Sequence, residues 1–157
     1  MSDNQKEQGA PFQIHDQYIK DLSFENPNHL KKYTAENQEA PQLAVNVETN
    51  VAKIDDQHYE VVLNVRVSSE DESKATFVLE LVYGTLISVP KERDPAALET
   101  VLLVHCPFIM FPFVREIVAR VTTSGGYPPL MLDPVDFAAL YIARRKEAEQ
   151  QATKAPN

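Results

Sequence analysis

A single cysteine, Cys106, is all the thiol chemistry this 157-residue sequence carries. That excludes an internal disulfide, leaves too few thiolates for a cysteine-based zinc or iron–sulfur site, and suits a reducing compartment. Glycine-rich catalytic signatures are missing as well: there is no GxGxxG, no GxSxG, and no GxxxxGK followed by Ser or Thr, so neither a phosphate cradle nor a nucleophile elbow is encoded. The opening MSDNQKEQGAPF has neither a basic n-region nor an apolar h-region, and no later run reaches the ~18 apolar residues of a membrane span. A cytoplasmic protein without direct membrane insertion is expected. Positive charge is scarce: 15 Lys and Arg against 23 Asp and Glu leave a net charge of -8. A phosphate backbone or an anionic lipid surface would be repelled, so nucleic acid is not an expected partner and a charged partner should be basic.

What is present reads as one domain, predicted over residues 12–143 between a flexible N-terminal segment, 1–11, and a flexible C-terminal tail, 144–157. From Phe12 a period of two places Phe12, Ile14, Tyr18, Leu22 and Phe24 on one strand face. Asn26 to Pro41 holds turn residues and charges without a period, and is too long for a hairpin; it should be a crossing loop. Leu43, Val45 and Val47 alternate, as do Tyr59, Val61, Leu63, Val65 and Val67, which predicts two antiparallel strands joined by a polar turn. A fourth strand sets Phe77, Leu79, Leu81 and Tyr83 on one face, with a bend expected at Gly84. The period then changes. Asp94-Pro95 opens a helix as N-cap and first residue, Pro107 and Pro112 should break or kink it, and Gly125-Gly126 ends it. Asp133-Pro134 repeats the opening device for a last helix carrying Phe137, Leu140 and Tyr141. Strands followed by helices predict an α+β fold: a four-stranded antiparallel sheet with two main helices packed on one face.

The opposite sheet face would then carry Asp21, Glu25, Asn46, Glu48, Glu60, Asn64, Arg66, Val78 and Glu80. Acidic residues dominate it. Antiparallel sheets commonly have one solvated face, yet carboxylates beside Val78 and Val82 also suit a basic, partly apolar partner. After Pro112, Val114, Val118 and Val121 form one helical stripe, while Phe113 and Ile117 begin a second. One stripe can pack on the sheet; the other needs either the remaining helices or a second subunit, and Phe113 and Ile117 are the candidates for a subunit-interface helix.

Catalytic candidates fail on geometry. His105 and Cys106 are adjacent, so on a helix their side chains diverge by about 100° and cannot act as a nucleophile and its base. His15, His29 and His58 lack a paired ligand spacing. The acidic clusters Asp55-Asp56 and Glu70-Asp71-Glu72 sit in turns, where solvation explains them. No enzyme activity, cofactor or metal is expected.

The stretches YIKDLSFENPN, YEVVLNVRV and CPFIMFPFVREIVARVTTSGGYPPLMLDPVDFAALY, spread between Phe12 and Tyr141, resemble the SecB protein-export chaperones. The resemblance implies a dimer of dimers, a homotetramer with its first long helix sandwiched between dimers. It implies a holdase that binds unfolded precursor proteins, keeps them competent for translocation and delivers them to the SecA motor ATPase, without cofactor or catalysis. A SecB-like chaperone serving another client or handover partner, such as an antitoxin, is the alternative. The positions matching the family's docking face for SecA's basic, zinc-bearing tail are Asp21, Glu25, Val78 and Glu80. The apolar client groove, around the crossing loop and second helix, implicates Tyr33, Phe137 and Tyr141.

Overall fold

The structure, a computed structural model, describes residues 11–34, 42–71 and 74–154. Strands β1 (Gln13–Glu25), β2 (Gln42–Lys53), β3 (His58–Asp71) and β4 (Lys74–Ser88) form one antiparallel sheet in the spatial order β1-β4-β3-β2. Because β1 lies beyond β4, the chain leaving it must traverse the end of the sheet to reach β2. That traverse begins with a 3-10 turn at His29–Tyr33; the rest of the expected crossing loop, 35–41, lies outside the described residues.

Period-two patterning governs β3 and β4 as expected. Val61, Leu63, Val65, Val67, Leu79, Leu81 and Ile87 are almost fully buried on one side, and Val45 and Val47 oppose Val67 and Val65 on that same side. In β1 the expected even-numbered face is interrupted. Register shifts between Ile14 and Asp16 and between Ile19 and Asp21 each insert one residue, and a one-residue slip reverses every side chain. Gln17 and Ile19 therefore pair with core-facing Thr85 and Tyr83, while Tyr18 pairs with Gly84 and points outward. Tyr18 is not a core residue. Gly84 has a different role from the expected bend, because the β4 register runs through it unshifted. A Cβ there would meet the Tyr18 ring at 2.9 Å, so its bare backbone lets that ring lie on the sheet.

Helices α1 (Pro95–Thr100) and α2 (Cys106–Ser124) are joined by a π-helical turn at Val101–His105 into one helix, Pro95–Ser124. Asp94 caps its start as expected, accepting the Ala97 N–H. Pro107 does not break it. In an α-helix the proline ring would collide with the carbonyl four residues back; here the preceding turn is widened, with the Cys106 N–H bonded to the Val101 carbonyl. Pro112 is likewise accommodated inside α2. At the end, Gly126 adopts φ 85°, and the Gly126 and Tyr127 N–H groups close on the Thr123 and Thr122 carbonyls, the Schellman arrangement that a left-handed glycine permits. Helix α3 (Phe137–Lys154) starts later than the expected Asp133-Pro134. Its cap is Asp136, whose carboxylate accepts the Ala139 N–H. It also continues past residue 143, through most of the segment expected to be a flexible tail.

The long helix is apolar and long enough to cross a membrane by length and composition alone, but one face of it forms the core of this domain. Cys106, Met110, Phe111, Val114, Ile117 and Val118 are buried, each contributing on the order of 1–3 kcal/mol. The expected division of stripes is corrected at Ile117: at 5% exposure it packs within its own chain. The outward apolar residues are Phe108, Ile109 and Phe113, with the Phe113 ring stacked on Tyr83 at 6.4 Å.

Candidate functional site

The outer sheet face gathers four of the residues singled out above onto two neighbouring strands. Glu25 lies directly opposite Val78, Asp21 opposite Val82, and Glu80 opposite Ser23. Asp21, Ser23 and Glu25 share one face because they follow the second β1 bulge at alternate positions. Asp21, Glu25 and Glu80 are exposed, with Val78 and Val82 half-buried between them. Carboxylates around a small apolar floor can receive a basic side chain and its aliphatic stem.

Among the described residues, Lys20 and Arg66 bring positive charge to this face. Lys20 Nζ reaches both carboxylate oxygens of Glu60, at 2.9 and 2.8 Å, and the Tyr18 hydroxyl donates to the same carboxylate. Lys20 first, then Tyr18, hold the Glu60 carboxyl below its ordinary range. The Tyr18 phenol is pushed up to about 12, chiefly because ionisation would lose that hydrogen bond. Arg66, on β3 directly opposite Glu80 of β4, forms an ion pair with it. Sequence alone could place these residues on one face but could not show that two of its carboxylates are already engaged.

On the helix side, β2 and α3 border a groove of about 220 Å³ lined by Val47, Thr49, Leu103, Phe137, Leu140 and Tyr141. It is smaller than the roughly 300–1,000 Å³ of small-molecule pockets and better matched to an apolar side chain. Arg144 reaches the Thr49 carbonyl across its rim, and the Tyr141 hydroxyl donates to Glu99 at 2.7 Å. Phe137 is only 4% exposed, its ring edge-on to Phe111 at 5.8 Å, so it forms the floor rather than a contact surface. Leu140, half exposed, supplies the accessible wall. Leu103 and Val47 were missed as lining residues because the π turn that presents Leu103 has no signal in hydrophobic spacing.

Tyr33 stands apart from this groove. It ends a run of aromatic rings, Phe24 to Phe77 to Tyr127 to His29 to Tyr33, with centroid separations of 5.5, 4.9, 5.4 and 6.3 Å. The run leads from the core to a ring that is 73% exposed where the crossing loop begins. Helix-side apolar surface also persists at both sheet edges: Leu43 and Val45 on β2, Ile19 and Leu22 on β1.

Cys106 and His105 do not form a nucleophile–base pair. Burial pushes the Cys106 thiol up to about 12; its Sγ touches Met110 Sδ, while His105 faces solvent. Among the described residues no group of three or more His, Cys, Asp or Glu side chains is arranged to hold a metal ion.

The family model described as preprotein translocase subunit SecB matches residues 4–148. A protein-export protein SecB from Bradyrhizobium sp. is 44% identical over 87% of this chain and 81% of its own length. One from Magnetococcus marinus is 41% identical over 99% of this chain and 100% of its own. Among solved structures, a SecB-like chaperone from Mycobacterium tuberculosis, in complex with a peptide from the HigA1 antitoxin, superposes with a TM-score of 0.65. It is 17% identical and covers 80% of this chain and 91% of its own, a likeness of fold. An acidic outer sheet face, an apolar groove on the helix side and family matches over nearly the whole length agree: the chain belongs to the SecB family of protein-export chaperones.

Proposed function

We propose that this chaperone is a cytoplasmic homotetrameric holdase without enzymatic activity, which captures unfolded precursor proteins in helix-side grooves and passes them to SecA at the outer sheet face. The observation that carries the reading is the separation of the two chemistries. Val47, Leu103, Phe137 and Leu140 give the groove between β2 and α3 an apolar interior, with Glu48, Arg144 and Glu147 also lining it, while Asp21, Glu25, Val78 and Glu80 lie together on the opposite side of the sheet. An unfolded client exposes apolar segments, and each side chain buried in a groove stabilises the complex by roughly 1.5–3 kcal/mol before ordering costs. Single sites are therefore weak, and a client chain tethered across several subunits binds through effective concentration instead of sequence. Assembly would multiply the grooves. Phe108, Ile109 and Phe113 on α2 and Ile19 and Leu22 on β1 are among the exposed apolar residues available for it.

The test is charge reversal at Glu80. Calorimetry should show that Glu80→Lys loses SecA binding while retaining capture of an unfolded precursor; SecA affinity equal to wild type would refute the docking face. Light scattering should give a tetramer's mass, and a strict monomer would remove the assembly. The alternative, a chaperone devoted to an antitoxin or another handover partner, predicts client binding with no SecA binding to either form.

A further inference from the structure

We infer that Arg66 is a built-in competitor for the basic partner: its guanidinium occupies the Glu80 carboxylate in the free protein and must be displaced on docking. The inference rests on the outer face being the docking surface. Arg66 and Glu80 are direct cross-strand partners, and their ion pair lies in solvent, the two side chains 55% and 48% exposed. Such pairs are weak and exchange readily. The Lys20 ion pair on the same face is not comparable. Lys20 is matched to a Glu60 side chain that is only 16% exposed and is also held by Tyr18, so that carboxylate is withdrawn from the surface.

The geometry around Glu80 decides what the competition does. On the β1 side it faces Ser23, with Asp21 and Glu25 two residues away in either direction on the same face. On the β3 side it faces Arg66. The three carboxylates thus surround one small area, and Arg66 neutralises the central one from outside it. A cation that reaches Glu80 alone exchanges one ion pair for another and gains little. A partner that also reaches Asp21 and Glu25 recovers the loss through contacts that need no displacement. The released guanidinium has a second carboxylate diagonally across β2, because Glu48 opposes Asn64 while Asn46 opposes Arg66. Arg66 therefore lowers affinity for isolated cations and favours partners presenting several basic groups, a role in specificity distinct from sheet stability.

Calorimetric titration of the tetramer with a zinc-loaded peptide of SecA's basic tail tests this, using wild type, Arg66→Gln, Arg66→Thr, Arg66→Lys and Asp21→Lys, with thermal unfolding recorded for each. Arg66→Gln and Arg66→Thr should bind about two- to fivefold more tightly, the worth of one exposed ion pair. Arg66→Lys, which keeps the charge, should stay close to wild type, and Asp21→Lys should bind more weakly. Equal or weaker binding by Arg66→Gln and Arg66→Thr, with Asp21→Lys impaired, would overturn the competitor role and leave the docking face standing. Wild-type binding by Asp21→Lys would overturn the docking face and this inference with it.

Discussion

Phe137 and Leu140 are one helical turn apart on α3 and line the same groove, but they should fail differently when truncated. Phe137 is 4% exposed and packs edge-on against Phe111. Phe137→Ala removes a buried ring and leaves a cavity, costing about 3–5 kcal/mol of stability, a large share of the 5–15 kcal/mol typical of a domain. Any loss of client binding by that variant would report unfolding. Leu140 is 50% exposed, so about half of its surface remains for a client to cover. Half of the roughly 1.5–3 kcal/mol for burying a leucine is about 0.7–1.5 kcal/mol, or a three- to twelvefold weaker Kd per groove for Leu140→Ala. Fluorescence anisotropy with a labelled precursor segment carrying one apolar anchor isolates a single groove from avidity, and urea unfolding at fixed protein concentration gives the stability change. Unchanged binding by Leu140→Ala would refute the groove, most directly if a stably folded Phe137→Ala also kept the client.

Two further outcomes test the local architecture. Thr122 is fully buried, and its hydroxyl donates to the Val118 carbonyl and accepts the Leu130 N–H. Thr122→Val keeps the shape but leaves that N–H without its acceptor, which should cost about 1–3 kcal/mol; Thr122→Ser should retain more of the stability, and an unchanged urea midpoint for the valine variant would refute the assignment. Asp55 accepts the Gln57 and His58 N–H groups and the His58 ring nitrogen in the β2-β3 turn. The Gln57 backbone contact first, then the His58 ring, lower its carboxyl to about 2. Because the folded value lies below the unfolded one, its stabilising effect is fully present above roughly pH 4 and is lost as pH falls through about 2. A carboxyl titration by NMR should place its midpoint near 2, and an ordinary midpoint would remove the turn from the acid response.

The parts of the fold legible in the sequence are those where one periodicity runs uninterrupted. From Tyr59 to Val67 and from Phe77 to Tyr83, alternation alone places every side chain correctly. β1 shows why this fails in places. Its two bulges cancel, so Ile14, Leu22 and Phe24 occupy the expected face while Tyr18, between the bulges, does not. No residue type in that stretch marks an insertion; the partner strand and the bare backbone of Gly84 beneath Tyr18 decide it. Pro107 misleads for a similar reason, since a widened turn removes the collision that would otherwise end the helix. Asp133-Pro134 had a competitor in Asp136, and the cap follows the residue whose carboxylate meets a free helical N–H. The outer-face residues were readable because exposure and strand parity suffice to place them. The groove was only partly readable, because Leu103 and Val47 reach it through packing between distant elements.

The second β1 bulge links these local details to function. Without the residue inserted between Ile19 and Asp21, the odd parity of Gln17 and Ile19 would continue, turning Asp21 and Glu25 toward the helices and Leu22 and Phe24 toward solvent. Carboxylates would then meet the apolar interior, where an unpaired charge costs several kcal/mol, and Phe24 would lose its contact with Phe77. One inserted residue therefore secures the end of the core and the outer carboxylate cluster together. The bulge thus fixes the direction in which Asp21 and Glu25 point. The direction of these carboxylates is tied to the packing of Phe24 against the core, so the surface available for a basic partner is held in register by the same packing that holds the end of the sheet.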